Sequence, residues 1–255
     1  DRYARYHSWG SARETFDWDQ MCDIEIPKPS INVQKNYVSI YKNLEVSQKS
    51  YENSFNDLQL ITDTFLENLS KKKISKKLNE YIEEVDIRNS DLKNKNLRGI
   101  SILKKFIKSK ANQTNLNLDN CKIIEKESFG YVTVTSRNGN KISIALMENE
   151  AAILSSTYIV FKIKNTKKLL PKFLLLWFKR KEFDRYARYH SWGSARETFD
   201  WVDLVNTEVP IPKIDIQESI IAIHDVLEKR KSLNEGIINI IDNFCPIAIK
   251  GASKY

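Results

Sequence analysis

Three arginines and three large aromatics share one short segment with a run of small residues: Arg185, Arg188, Arg196, Tyr186, Tyr189, Trp192 and Gly193-Ser194-Ala195. Guanidinium groups reach phosphate oxygens or guanine edges, and tyrosine and tryptophan add flat faces with a polar donor. A glycine followed by small residues lets backbone amides approach a phosphate closely. The same composition also suits an aromatic helix-to-loop segment packed on its own core, and composition alone leaves the two readings even. A second candidate is Ser136-Arg137-Asn138-Gly139-Asn140-Lys141, either a solvated polar turn or a loop probing a groove. A third is the cationic stretch holding Arg98, Lys104, Lys105, Lys108 and Lys110, whose chemistry is phosphate contact.

Other chemistries lack their residues. The chain has no GxGxxG, GxxxxGK[ST] or HExxH, and no Asn-Pro-Pro-aromatic run of the amino-methyltransferase kind. His190 and Ser191 are adjacent, which does not set up a nucleophile, base and orienter. The acid pairs Glu83-Glu84 and Glu148/Glu150 have no partner marking a catalytic dyad and read as solvated surface. Cys22, Cys121 and Cys245 show neither CxxC nor CxxH spacing. They read as ordinary buried thiols in a reducing cytoplasm, not as a zinc site or disulfide framework. No catalytic residue, metal ligand or resident cofactor is assigned.

What positions the candidate residues is a repeated framework. DRYARYHSWGSARETFDW stands at Asp1–Trp18 and, without a mismatch, at Asp184–Trp201, an offset of 183 positions. Likeness continues beyond it: Glu25, Pro27, Pro29, Ile31 and Gln34 meet Glu208, Pro210, Pro212, Ile214 and Gln217. So long a period marks a whole domain plus its connector. Because Asp1 opens inside a repeated motif, the chain reads as a fragment that starts near the end of one copy. Net charge is +8, and eleven Lys and Arg against four Asp and Glu between Asp91 and Ser143 place the surplus between the repeats. That favours a polyanion. Leu169–Phe178 is the strongest apolar run, and Pro171 and Lys172 break it well short of a bilayer span.

Tyr37, Tyr41, Leu44, Gln48, Tyr51, Phe55, Leu58, Thr62, Phe65 and Leu69 alternate at spacings of four and three, the seam of a long coiled-coil helix. The polar KKKISKKLNE stretch ends it. A second seam is read from Ile223, Val226, Leu233, Ile237 and Ile240, spoiled at Arg230 and opened by a capping box of Asp215 and Glu218. Two such stripes in one chain predict antiparallel pairing. Between them, Tyr131–Thr135 and Lys141–Leu146 alternate around Asn138-Gly139, predicting a hairpin with a type I′ turn. Ala151–Ile163 reads as further strand, and Leu169–Arg180 as a helix with Pro171 in its first turn. The fold class is α+β: a mixed α/β domain flanked by two long helices forming an antiparallel coiled coil.

These motifs together resemble the specificity (S) subunit of type I restriction-modification systems. The likeness rests on RYHSWGSARETFDW and the following IPxP…Q in both copies, and on NLRGISILKKFI, SFGYVTVTSRNGNKISIAL and LLPKFLLLWFKRKEF. It implies the tail of a first target-recognition domain at 1–30, helix 1 at 31–80, a recognition domain at 81–205, and helix 2 with a tail at 206–255. It further implies a non-catalytic DNA reader whose helices dock methyltransferase (M) subunits. Those subunits bind S-adenosylmethionine, and a restriction (R) subunit cleaves with ATP and magnesium. A half-subunit would rebuild two-fold symmetry as a homodimer. Expected DNA contacts are Arg98, Lys104, Lys105, Arg137, Asn138, Lys141, Trp192, Ser194 and Arg196. Expected helix-pairing or M-docking residues are Tyr37, Tyr41, Leu44, Tyr51, Phe55, Leu58, Phe65, Ile223, Leu233 and Ile237. A coiled-coil scaffold without DNA sequence preference is the alternative. The exact repeat also suggests a recombination seam.

Overall fold

The computed structural model describes residues 2–10, 13–72, 74–109, 117–135, 141–194 and 196–252. Two short helices, α1 (Arg2–His7) and α2 (Trp18–Cys22), precede the long α3 (Ile31–Ser70). Strands follow: β1 (Ser75–Lys77), β2 (Ile82–Glu84), β3 (Arg98–Ile100), β4 (Phe106–Lys108), β5 (Lys122–Ile124), β6 (Phe129–Val132), β7 (Ser143–Leu146), β8 (Ala152–Leu154) and β9 (Ile159–Ile163). Then come α4 (Pro171–Lys179), α5 (Lys181–Tyr189), α6 (Trp201–Asn206), β10 (Glu208–Pro210) and the long α7 (Ile214–Ala252). The chain divides into two compact units, residues 1–54 with 230–255 and residues 55–229.

In the first unit α3 and α7 pair antiparallel. Tyr37 and Tyr41 both pack on Phe244, with ring centroids 6.4 and 5.8 Å apart. Gly251 lies so close that a Cβ there would stand 2.7 Å from the Tyr37 hydroxyl. Tyr37, Tyr41, Leu44 and Tyr51 are half-buried as the heptads predict, and so is Ile237. Leu233 is a correction: it is 46% exposed, while its neighbour Asn234 is buried. The inner seam of α7 in this unit runs through Asn234, Ile237, Ile241, Phe244, Ala248 and Gly251. Leu233, Ile240 and Ile247 repeat at seven beside it and stay exposed. Asn234 Oδ1 and Ser54 Oγ are buried without a hydrogen-bond partner, the kind of polar seam residue that fixes register at a cost in stability. Of the three thiols only Cys121 is buried; Cys22 and Cys245 are exposed, contrary to expectation.

The second unit is built on the antiparallel sheet β2-β9-β6-β7. Alternate residues of its central strands face opposite layers. Phe129, Tyr131, Ile144 and Phe161 join Phe173, Leu174 and Phe178 of α4 in one core, with Phe129 stacked on Phe161 at 4.8 Å. On the opposite face, the β3-β4 and β5-β8 pairs press so close to Gly130 that a Cβ there would lie 2.8 Å from Ile100 and Leu154. Both faces are therefore covered, and β7 is buried at all four positions instead of alternating. Pro171 starts α4 as predicted, its missing N–H being one the first turn leaves free anyway. In this unit Phe55, Leu58 and Ile223 are half-buried seam residues, but Phe65 is 43% exposed and Leu66 takes its place inside.

Three further expectations change. Ala151–Ile163 is two strands, β8 and β9, divided by a turn in which the Tyr158 amide donates to Ser155 O at 3.0 Å. The Asn138-Gly139 turn lies outside the described residues. The ladder beside it pairs Val132 with Ser143, whereas a two-residue turn there would set it opposite Ala145. Asp215 is not an N-cap, because α7 already begins at Ile214 and Asp215 is an acid of its first turn. The polar stretch after α3 does end that helix at Ser70, and part of it becomes β1, paired with β10. Gln217 does the fastening at the start of α7. Its Nε2 donates to the Pro212 and Lys168 carbonyls at 2.8 and 2.9 Å, and its Oε1 accepts from the Leu170 amide at 2.8 Å. Its repeat mate Gln34 donates to the Pro29 carbonyl at the same 2.8 Å.

Candidate nucleic-acid interface

The candidate residues collect around α5 and the loop behind it. His190 ends the helix, and the loop closes on itself through an antiparallel bridge. The Trp192 amide donates to Thr198 O at 3.1 Å, and the Thr198 amide to Trp192 O at 3.0 Å. Gly193 has φ +129°, where a Cβ would stand 2.4 Å from the Arg196 carbonyl oxygen, so the turn needs glycine. Asp200 caps α6 in a box with Asp203, which also accepts from the Trp192 indole N–H at 3.3 Å.

This loop is sewn to residues 133–135, the segment that follows β6. Beyond Val132 the chain leaves β7 and pairs with the repeat: the Phe199 amide donates to Thr133 O at 3.0 Å, and the Thr135 amide to Glu197 O at 2.9 Å. The Thr135 hydroxyl reaches Ser191 Oγ at 3.1 Å. Tyr131, fully buried, donates its hydroxyl to the Phe199 carbonyl. Burial, then the Asp200 and Asp203 carboxylates, pushes that phenol well above its ordinary value.

At the other end of α5, Asp184 joins two more candidate segments. Its Oδ1 accepts from Lys104 Nζ at 2.6 Å and from the Ile142 amide at 3.2 Å, and Lys104 also donates to the Phe178 carbonyl at 2.5 Å. The side chains of Lys104 and Asp184 are only 4% and 10% exposed. Desolvation pulls the Lys104 pKa below its ordinary value, opposed by Asp184 and reinforced by the nearby charges of Lys141 and Lys179. Lys104 is therefore a correction: its ammonium faces inward, spent on an internal pair, and cannot reach a phosphate.

The remaining expected contacts fall into three groups. Lys105, Lys141, Trp192, Ser194 and Arg196 are exposed, with Trp192 at 63%. Arg98 is half-buried at a recess shared with Lys126, Glu148 and Glu150. Arg137 and Asn138 lie outside the described residues. Two arginines of the repeat are engaged internally, Arg188 with Glu197 and Arg185 with Glu182. Sequence reasoning missed Tyr131, Thr135, Asp184 and Glu197. Asp184 and Glu197 carried a signal in being part of the exact repeat; the contacts of Tyr131 and Thr135 depend on where the chain goes after β6. Among the described residues there is no His/Cys/Asp/Glu cluster that could hold a metal, and no helix long and apolar enough to cross a membrane.

Comparison with known proteins agrees with this architecture. A family model described as the type I restriction modification DNA specificity domain matches residues 61–243. The solved S subunit of a type I restriction-modification system from M. genitalium aligns with TM-score 0.60 at 12% identity, covering 97% of this chain and 69% of that one. The HsdS subunit from Thermoanaerobacter tengcongensis aligns with TM-score 0.52 at 13% identity, covering 98% and 68%. At such identities the likeness is one of fold: long helices flanking a sheet domain. No curated protein matches the sequence.

Proposed function

Since the chain belongs to the type I restriction-modification DNA specificity family, we propose that it reads a DNA sequence and delegates the chemistry to other subunits. The observation that carries this reading is the convergence on α5. Lys141, Trp192, Ser194 and Arg196 are exposed on segments that Asp184, Thr135 and Glu197 tie to one helix. A reader needs its donors held by a rigid scaffold, so that a wrong base leaves a donor unpaired instead of being followed. Methyltransferase subunits, supplying S-adenosylmethionine chemistry on adenine, dock on the helices; an ATP- and magnesium-dependent restriction subunit completes a cytoplasmic complex. For that docking the support is the exposed apolar line Leu233, Ile240 and Ile247 beside the α3–α7 seam, a stripe that water alone would leave unfavourable.

The test is methylome sequencing of the host with and without the locus, followed by reconstitution with the M subunits. A modified adenine motif present only with the locus is expected. Arg196→Ala should then slow methylation and relax one position of that motif, by about 1–3 kcal/mol if it contacts a base edge. An unchanged methylome would overturn the reading.

A further inference from the structure

The β3–β4 hairpin has its tip inside out. Its turn is closed by the Lys104 amide on Ser101 O at 2.9 Å and the Ser101 amide on Lys105 O at 3.0 Å. Within it Lys104 sits at φ +58° with its ammonium buried on Asp184, while Ile102 and Leu103 are 44% and 69% exposed. Burying a charge and exposing two branched aliphatics are each unfavourable, and an unconstrained turn would choose the reverse. Ile107, on the strand behind, is a further 40% exposed. The hairpin is also cationic throughout: from Arg98 to Lys108 it carries no acid, and Arg98 stands directly opposite Lys108, a like-charge cross-strand pair.

Resting on the DNA-reading function above, we propose that Ile102 and Leu103 form an apolar wedge that enters a base step of the bound duplex. A duplex combines a phosphate exterior for Lys105 and Lys108 with an apolar stack for the aliphatic tip. A protein partner for so basic a hairpin would need an acidic rim around an apolar pocket. The inward lysine then acts as a pin: it ties the turn to α4 and α5, so that insertion strains the DNA and not the loop.

The experiment uses the full chain reconstituted with M subunits, and a duplex bearing the target motif with 2-aminopurine placed at successive steps. One step should brighten on binding and the duplex ends should draw together by energy transfer. Leu103→Ala and Ile102→Ala should abolish both signals and weaken binding roughly 10- to 50-fold for each buried side chain truncated, with the salt slope unchanged. Lys105→Ala should instead lower that slope by about 1 and keep the unstacking. Wild-type signals that persist in both tip variants, while the motif is still methylated, would overturn the wedge and leave the DNA-reading function standing. Tip variants that lose M-subunit binding without DNA present would also overturn it, making the tip a protein contact. No motif-specific methylation in any preparation would strike at the underlying reading instead.

Discussion

Lys104 and Asp184 offer the sharpest test of how the second unit is built. With side chains 4% and 10% exposed and a 2.6 Å contact, neither ion can turn to water when the other is removed. Breaking one partner of such a pair costs about 3–5 kcal/mol, because the survivor is left buried and uncompensated. Lys104→Met keeps the stem volume, so its cost is that of the orphaned Asp184 carboxylate, left among the described residues with the Ile142 amide at 3.2 Å. Asp184→Leu strands the ammonium against the Phe178 carbonyl and should cost a similar amount. The double variant removes both charges. It should cost only about 1–3 kcal/mol, the Ile142 amide having lost its acceptor. Urea unfolding followed by tryptophan emission would then show a coupling of roughly 3 kcal/mol or more. pH gives a second readout. Below its depressed folded pKa, Lys104 is charged in both states; between that value and 10.5 only the unfolded chain keeps the proton, so stability rises with pH across that window. Lys104→Met should abolish the rise. Single variants that cost under about 1 kcal/mol, or that add independently, would refute the buried pair. So would a Lys104→Met chain of undiminished stability whose DNA binding loses salt dependence.

Gly193→Ala places a Cβ 2.4 Å from Arg196 O at φ +129°, and should destabilise the Trp192–Thr198 loop by about 1–3 kcal/mol, read as faster hydrogen exchange there. Gly236 lies inside α7 with nothing within 4 Å of the place a methyl would occupy, so Gly236→Ala should raise stability by up to about 1 kcal/mol in thermal unfolding. Tyr131 holds its proton to higher pH in the folded chain than in the unfolded one. Its contribution is complete below about pH 10 and falls as pH rises further, a loss that Tyr131→Phe should remove from a pH–stability profile.

The long seam of α3 was legible because ten positions keep alternating spacings of four and three, and a helix that long has few alternatives. It failed only at Phe65, where α3 belongs to the second unit and turns Leu66 and Leu69 inward. The seam of α7 was misread for a definite reason: its inner positions include Arg230, Asn234 and Gly251, while Leu233, Ile240 and Ile247 form an equally regular apolar line outside. Periodicity finds apolar lines and cannot say which one faces the partner. The hairpin register was lost for another cause. β6 stops pairing with β7 after Val132 because Thr133 and Thr135 pair with the repeat, a non-local contact no local turn signal contains. Lys104 fails for the simplest reason: a sequence shows a lysine's charge, not its direction.

The repeat itself separates what eighteen residues decide from what a domain decides. Among the described residues both copies close the segment in the same way: Trp9 and Thr15 exchange amide hydrogen bonds at 3.1 and 3.0 Å as Trp192 and Thr198 do, and Gly10 has φ +133° beside +129° at Gly193. Ser8 and Ser191 each donate to the carbonyl four residues back, at 2.6 and 2.7 Å, and Asp17 and Asp200 each cap a short helix. Outward positions match as well, Trp9 at 64% exposure and Trp192 at 63%, Tyr6 at 84% and Tyr189 at 85%. Inward positions do not: Phe199 is fully buried and Phe16 only half, and Trp18 is 73% exposed where Trp201 is packed on the core. The closing hydrogen bonds and the glycine are thus common to both copies, while Tyr131, Thr133 and Thr135 add further hydrogen bonds and burial to the second. A segment whose closing contacts persist in two surroundings can join differing bodies to the long helix that follows without re-engineering those contacts. That is the physical condition for exchanging such bodies at a fixed joint.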